Sequence, residues 1–205
     1  LDCGVISHHN HGKPGATEGL KLIADAEEGR KMFIDPIEKL MGKGTLVYII
    51  ANHEDWLTDL TDQIPALEGL LDINTLLKLG KWTIIPQGGA YNLGKLTFVH
   101  GDQLKGGEGV AKAAVIAYER SIRFGHFHTY SAYAKTSALD YKNGKTGIAI
   151  PCLCTKTPKY GEGAPNRWMQ GFNFGWVNDD GTFTDYVPII TNGSFTWNGK
   201  LYKGT

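Results

Sequence analysis

The chain has 205 residues, of which 41% are hydrophobic, enough length and apolar content to bury a sizeable core. Its 21 Lys and Arg balance 21 Asp and Glu, so no bulk electrostatic field favours a polyanionic partner. No run approaches the ~20 apolar residues needed to span a bilayer, and no secretory leader is visible, which predicts one cytoplasmic-type domain over 1–205 without membrane attachment.

In chain order, the first landmark is His8-His9-Asn10-His11, which has the donors to bind a metal or face a substrate phosphate but whose composition reads more readily as a solvated loop. Residues 17–41 read as helical, with Leu20, Ile23, Met32, Phe33, Ile37 and Leu40 apolar and a break expected at Pro36. The β-branched run 45–50 predicts a strand that delivers Asn52-His53-Glu54 abruptly into polar chemistry. Residues 56–79 predict two short helices divided near Pro65 and closed by Gly80. A strand over 82–86 and a turn around Asn92-Leu93-Gly94 lead to a strand over 95–99, which delivers His100-Gly101-Asp102. The glycine-rich stretch 106–109 reads as a flexible lead into a helix over 109–119. The strand 121–124 then delivers Gly125-His126-Phe127-His128, where an extended backbone would point both imidazoles the same way. This alternation predicts helices packed against a largely parallel sheet.

After His128 the pattern changes. Residues 130–135, 147–155, 171–178, 182–190 and 194–202 read as strands, with Asn143-Gly144, Asp179-Asp180-Gly181 and Asn198-Gly199 as hairpin turns. They predict a second, mainly antiparallel sheet stacked on the first. Asn143-Gly144-Lys145-Thr146 ends like a phosphate-binding loop, but the glycine such a loop needs five residues before Gly144 is Leu139. Of the three cysteines, Cys3 stands apart, whereas Cys152 and Cys154 sit on an apparent strand and predict buried thiols rather than a disulfide. The irregular stretch 156–170 contains Tyr160, Arg167 and Trp168, which could contact a substrate, but it reads more readily as a surface loop anchored by one tryptophan.

Asn52-His53-Glu54, His100 and Gly125-His126-Phe127-His128 all follow strand-like runs, and in this order they resemble the calcineurin-like metallophosphoesterases. That family runs Asp-x-His, Gly-Asp, Gly-Asn-His-Glu/Asp, a lone His and Gly-His-x-His. This chain carries the last three motifs over its middle third, with Ala51 in place of the usual Gly. The first two have no counterpart, although Leu1-Asp2 suits the tail of a Gly-Asp-x-x-Asp motif. The resemblance thus implies an N-terminally incomplete copy, lacking one strand-helix-strand unit of an α-β-β-α sandwich whose two stacked mixed sheets are flanked by helices.

The resemblance also implies roles. Asn52, His100 and His126 would hold one divalent ion, and His128 would serve a second. His53 would lie beside the leaving oxygen as proton donor or charge stabiliser, oriented by Glu54. Two ions about 3.5–4 Å apart are the usual answer to a phosphate ester's resistance to attack, because they neutralise its oxygens and lower the pKa of water. Imidazole, amide and carboxylate donors suit Mn, Fe or Zn. The implied activity is hydrolysis of a phosphate ester, a phosphodiester such as a nucleotide or DNA being favoured over a monoester because Asn-His-Glu occurs in nuclease-like members. Without the early carboxylates, at most one weakly held ion and negligible esterase activity are expected of these 205 residues alone. The alternative is an inactive binding or scaffold protein on the same fold.

Overall fold

Residues 21–156 and 166–204 are described by a computed structural model, a mixed α/β arrangement with several sheets. His8, His9, His11, Asp2, Cys3 and Tyr160 lie outside the described residues. The chain divides between Gln87 and Gly88 into two compact units.

In unit 1, α1 (Leu22–Gly29), a π-helical turn (Arg30–Ile34) and α2 (Asp35–Met41) run on without the break expected at Pro36. Pro36 follows directly on the π turn, which closes with the Asp35 N–H donating to the Arg30 carbonyl and asks no N–H of residue 36. Ala26 and Ile34 close a core with Trp56, Leu57, Ile73, Leu77 and Leu79. The run 45–50 contributes β1 (Val47–Ile49), parallel to β2 (Thr83–Ile85). It is followed by α3 (Asn52–Gln63), a 3-10 turn (Pro65–Leu67) and α4 (Ile73–Leu77). Asp72 caps α4, its Oδ1 accepting the Thr75 N–H at 2.9 Å, and left-handed Lys78, rather than Gly80, ends it. Arg30 donates to the carbonyls of Leu77 and Lys78 there, fastening the π turn to the negative end of α4.

Unit 2 is built on a five-stranded sheet, ordered β3 (Ala90–Leu93), β4 (Leu96–Val99), β5 (Ser121–Phe124), β7 (Asp140–Ala149), β6 (Ser131–Ser137). β4, β5 and β7 are parallel, and β3 and β6 are antiparallel edges. Helix α5 (Val110–Tyr118) joins β4 to β5, burying Val110, Ala114 and Val115 with Val99, Ile122, Phe124 and Ala149. The helix can approach β7 only because residue 147 has no side chain: a Cβ on Gly147 would stand 2.5 Å from the Ala111 carbonyl oxygen.

Two local expectations are corrected. The β6–β7 hairpin turns at Ala138-Leu139, because Ser137 pairs with Asp140, and Asn143-Gly144 lies inside β7. Core pairs such as Ala132↔Ile148 and Tyr133↔Gly147 set the register, and this outweighs the turn preference of Asn-Gly. The β3–β4 turn likewise moves to Gly94-Lys95, with Leu93 paired to Leu96.

The strands past His128 also distribute differently. β6 and β7 join the sheet of β4 and β5, and the rest form antiparallel ladders: β8 (Gln170–Gly171) with β11 (Ile189–Ile190), β9 (Phe174–Val177) with β10 (Phe183–Tyr186), and β12 (Ser194–Trp197) with β13 (Lys200–Lys203). The turns at 179–181 and at Asn198-Gly199 are where the sequence puts them. The latter has positive φ at both residues, as a two-residue hairpin demands. Aromatic contacts tie the ladders together, with Trp197 centred 4.5 Å from Phe174 and 4.8 Å from Tyr186.

Candidate metal centre

The parallel register Val99↔Phe124 brings the ends of β4 and β5 side by side, and the Gly125 N–H donates to the His100 carbonyl at 2.9 Å. Gly101 then turns away with φ +110°, so close to Phe124 that a Cβ would meet its Cδ2 at 3.0 Å. The consequence is a paired arrangement of His100 and His126. His126 Nδ1 lies 3.2 Å from His100 Nε2, with the rings nearly perpendicular at 84°.

The backbone that delivers His126 is not extended. Its φ is +63°, and the Phe127 N–H donates to the Gly125 carbonyl at 2.7 Å, the three-residue closure of a strained γ-turn. His128 is also left-handed, at φ +57°. The expectation that alternate residues of Gly-His-Phe-His point the same way is therefore corrected. Non-glycine residues held at positive φ cost of order 1–3 kcal/mol each and cluster at functional sites.

Two nitrogens bound to one tetrahedral ion at about 2.0–2.1 Å stand roughly 3.4 Å apart, so the His100–His126 separation suits a shared cation with little movement. It equally suits an N–H···N hydrogen bond, so the neutral pair is satisfied and already aligned. The pair supplies no charge. Among the described residues, no carboxylate joins it to make a group of three His, Cys, Asp or Glu donors.

His128 has other neighbours. Its ring lies edge-on to Trp168 at 4.1 Å between centroids, and its carbonyl accepts the Met169 N–H at 2.7 Å. A ring nitrogen of His128 and the sulfurs of Cys152 and Cys154 all lie within 4.8 Å of one another. The expectation of two thiols buried on a strand is corrected as well: β7 ends at Ala149, Cys152 is half-buried and Cys154 is exposed. Pro151, which has no N–H to give a ladder, marks the exit.

In unit 1, Asn52 and His53 open α3 directly after β1 and Ile50-Ala51. The His53 ring stacks on Trp56, with centroids 4.4 Å apart and planes 19° from parallel. Glu54 is buried. Its Oε1 accepts the Tyr48 hydroxyl at 2.9 Å and its Oε2 accepts the Ala51 N–H at 3.0 Å, which pins the strand-to-helix junction. These contacts fix the backbone that carries His53.

One buried charge was not evident from sequence. Arg123, in β5, is 1% exposed and ion-paired with Asp185 of β10. Its remaining donors go to the carbonyls of Ile122 and Thr146 and to the Thr146 hydroxyl. The Phe183 ring covers it. Such complete pairing is structural: it anchors the strand whose end bears His126. The only sequence signal is an arginine within a buried four-residue strand.

No family model matches the sequence, and no curated protein matches it.

Proposed function

We propose that this protein is a metal-dependent phosphoesterase that hydrolyses a phosphodiester, a nucleotide or DNA strand, in preference to a monoester. The observation that carries the reading is the 3.2 Å approach of His126 Nδ1 to His100 Nε2 at the ends of adjacent parallel strands, with His126 in a strained left-handed conformation. Strain at a residue whose side chain meets a second potential ligand is more economically explained by a site than by packing. The order of motifs along the chain also gives Asn52 a ligand role and His128 that of a ligand to a second ion. It also implies the sandwich arrangement of a metallophosphoesterase.

When bound, divalent Mn, Fe or Zn would neutralise phosphate oxygens and lower the pKa of a water molecule. The chain's own groups do the rest. His100 and His126 would hold the ion at the ends of β4 and β5. His53, its ring held flat on Trp56, gives a proton to the departing alkoxide or stabilises its charge. Glu54 holds the Tyr48 hydroxyl and the Ala51 N–H, so the first turn of α3 presents His53 rigidly.

A second reading, an inactive binding protein on the same fold, is favoured by the lack of a carboxylate grouped with His100 and His126 among the described residues. The full-length gene product, stripped with chelator and reloaded with Mn2+ or Zn2+, separates the two. Metal-restored hydrolysis of bis-p-nitrophenyl phosphate, faster than that of the monoester, supports the enzyme. Metal binding without turnover supports the inactive protein.

A further inference from the structure

We propose that His128, Cys152 and Cys154 form a zinc site, chemically distinct from the His100–His126 pair, so that His128 serves this zinc rather than a second ion of the esterase centre. The three donors come from separate stretches of unit 2, His128 after β5 and the cysteines after β7, yet their ligand atoms all lie within 4.8 Å of one another. Donors of a tetrahedral zinc with bonds of about 2.0–2.3 Å stand roughly 3.4–3.8 Å apart. Loading the site therefore draws the atoms together by at most about 1–1.4 Å, within the reach of side-chain rotation.

The backbone holds this geometry. Cys152 exchanges hydrogen bonds with the 169–171 segment, its N–H donating to the Met169 carbonyl and its carbonyl accepting the Gly171 N–H, both at 3.0 Å. The Met169 N–H in turn donates to the His128 carbonyl. Segment 169–171 is thus tied to both donor stretches. The Gln170 side-chain amide donates to the Cys154 carbonyl at 2.9 Å and fixes the second cysteine. Trp168 stands edge-on to the His128 ring and limits its rotation.

The donor set selects the metal. Two thiolates offset the charge of a dication, which neutral imidazoles alone cannot do, and sulfur with imidazole favours zinc over Mn or Mg. Three protein donors, with Cys154 exposed, leave a fourth position open to water or to an anionic oxygen.

The test is a Co2+ titration of the full-length protein in a Cys3→Ser background, followed by competition with Zn2+. The expected result is a sulfur-to-cobalt charge-transfer band that saturates at one Co2+ per chain and that Zn2+ abolishes. The band should disappear in Cys152→Ser and in Cys154→Ser. In His128→Asn, which keeps a residue tolerant of positive φ, zinc affinity should fall by more than about 10²-fold, beyond the range for an outer partner of a ligand. The band should persist in His100→Ala, whose circular dichroism serves as the folding control. Absence of the band in the parent, or its persistence without both cysteines, overturns the proposal. Diester hydrolysis measured on the same proteins reports separately on the esterase reading: a sulfur band without turnover leaves the zinc site standing, and turnover without the band removes only the zinc site.

Discussion

Asp185→Ala leaves the Arg123 guanidinium in a site where it is 1% exposed and removes its one anionic partner among the described residues. Lost are the bonds from Nε and, at 2.8 Å, from Nη2 to the carboxylate. Retained are bonds at 2.9 Å to the Ile122 and Thr146 carbonyls and at 3.0 Å to the Thr146 hydroxyl. Removing one partner of a buried pair costs about 3–5 kcal/mol, and the surviving bonds place this case near the lower end. At 1.36 kcal/mol per decade, the amides of β5 should then exchange with solvent roughly 10²-fold faster, a quantity that hydrogen-exchange mass spectrometry reads locally. Arg123→Met in the same background should recover part of the loss, because the stranded charge is gone. A change below about tenfold would refute the reasoning and show that water reaches the guanidinium.

The same pair gives an acid dependence. Burial alone would raise the Asp185 carboxyl, but hydrogen bonds from Arg123 and Asn173 and the guanidinium charge hold it below its ordinary value. A depressed folded-state pKa contributes stability that is complete above the unfolded value, near 3.9, and is lost as pH falls through the folded value. The parent's β5 protection should therefore fall in that acid window, and Asp185→Ala should lack this component.

Gly147→Ala should cost about 1–3 kcal/mol and displace α5, since a Cβ there stands 2.7 Å from Val115 Cγ2 as well as against the Ala111 carbonyl; an unchanged urea midpoint would show the helix yields freely. His53→Ala in the full-length protein should leave metal content unchanged and lower diester turnover by roughly 10²–10⁴, whereas equal loss of both would make His53 a ligand. Trp168→Ala should weaken zinc binding in the titration above by roughly 10–100-fold by freeing the His128 ring, and an unaltered affinity would show that the indole does not position it.

The strands that end at the candidate centre were legible from their β-branched and aromatic residues, Ile122 and Phe124 in one and Thr97, Phe98 and Val99 in the other, each run ending at a glycine or histidine, even though Arg123 interrupts the first. The same logic failed one step later. Gly-His-Phe-His alternates like a strand, yet the peptide turns through a γ-turn, and the only local hint was a glycine before a histidine that tolerates positive φ. Asn143-Gly144 misled in the opposite sense, its local turn preference being overridden by cross-strand core pairs that short-range patterns do not contain. The grouping of His128 with Cys152 and Cys154 depends on β7 returning beside β5 and on the 169–171 segment closing over both, contacts between residues far apart in sequence. Arg123 and Asp185 are separated by 62 residues, and nothing in either neighbourhood announces the other.

The central claim is that His100 and His126 hold one ion between them. Equilibrium dialysis of Mn2+ against the full-length protein, with His100→Ala, His126→Ala and the double substitution, tests it most directly. Ligands of a single ion are coupled, so each single change should weaken binding by more than about 10²-fold and the double change should add little further. Binding unaffected by either substitution, or losses that simply add, would contradict a shared ion.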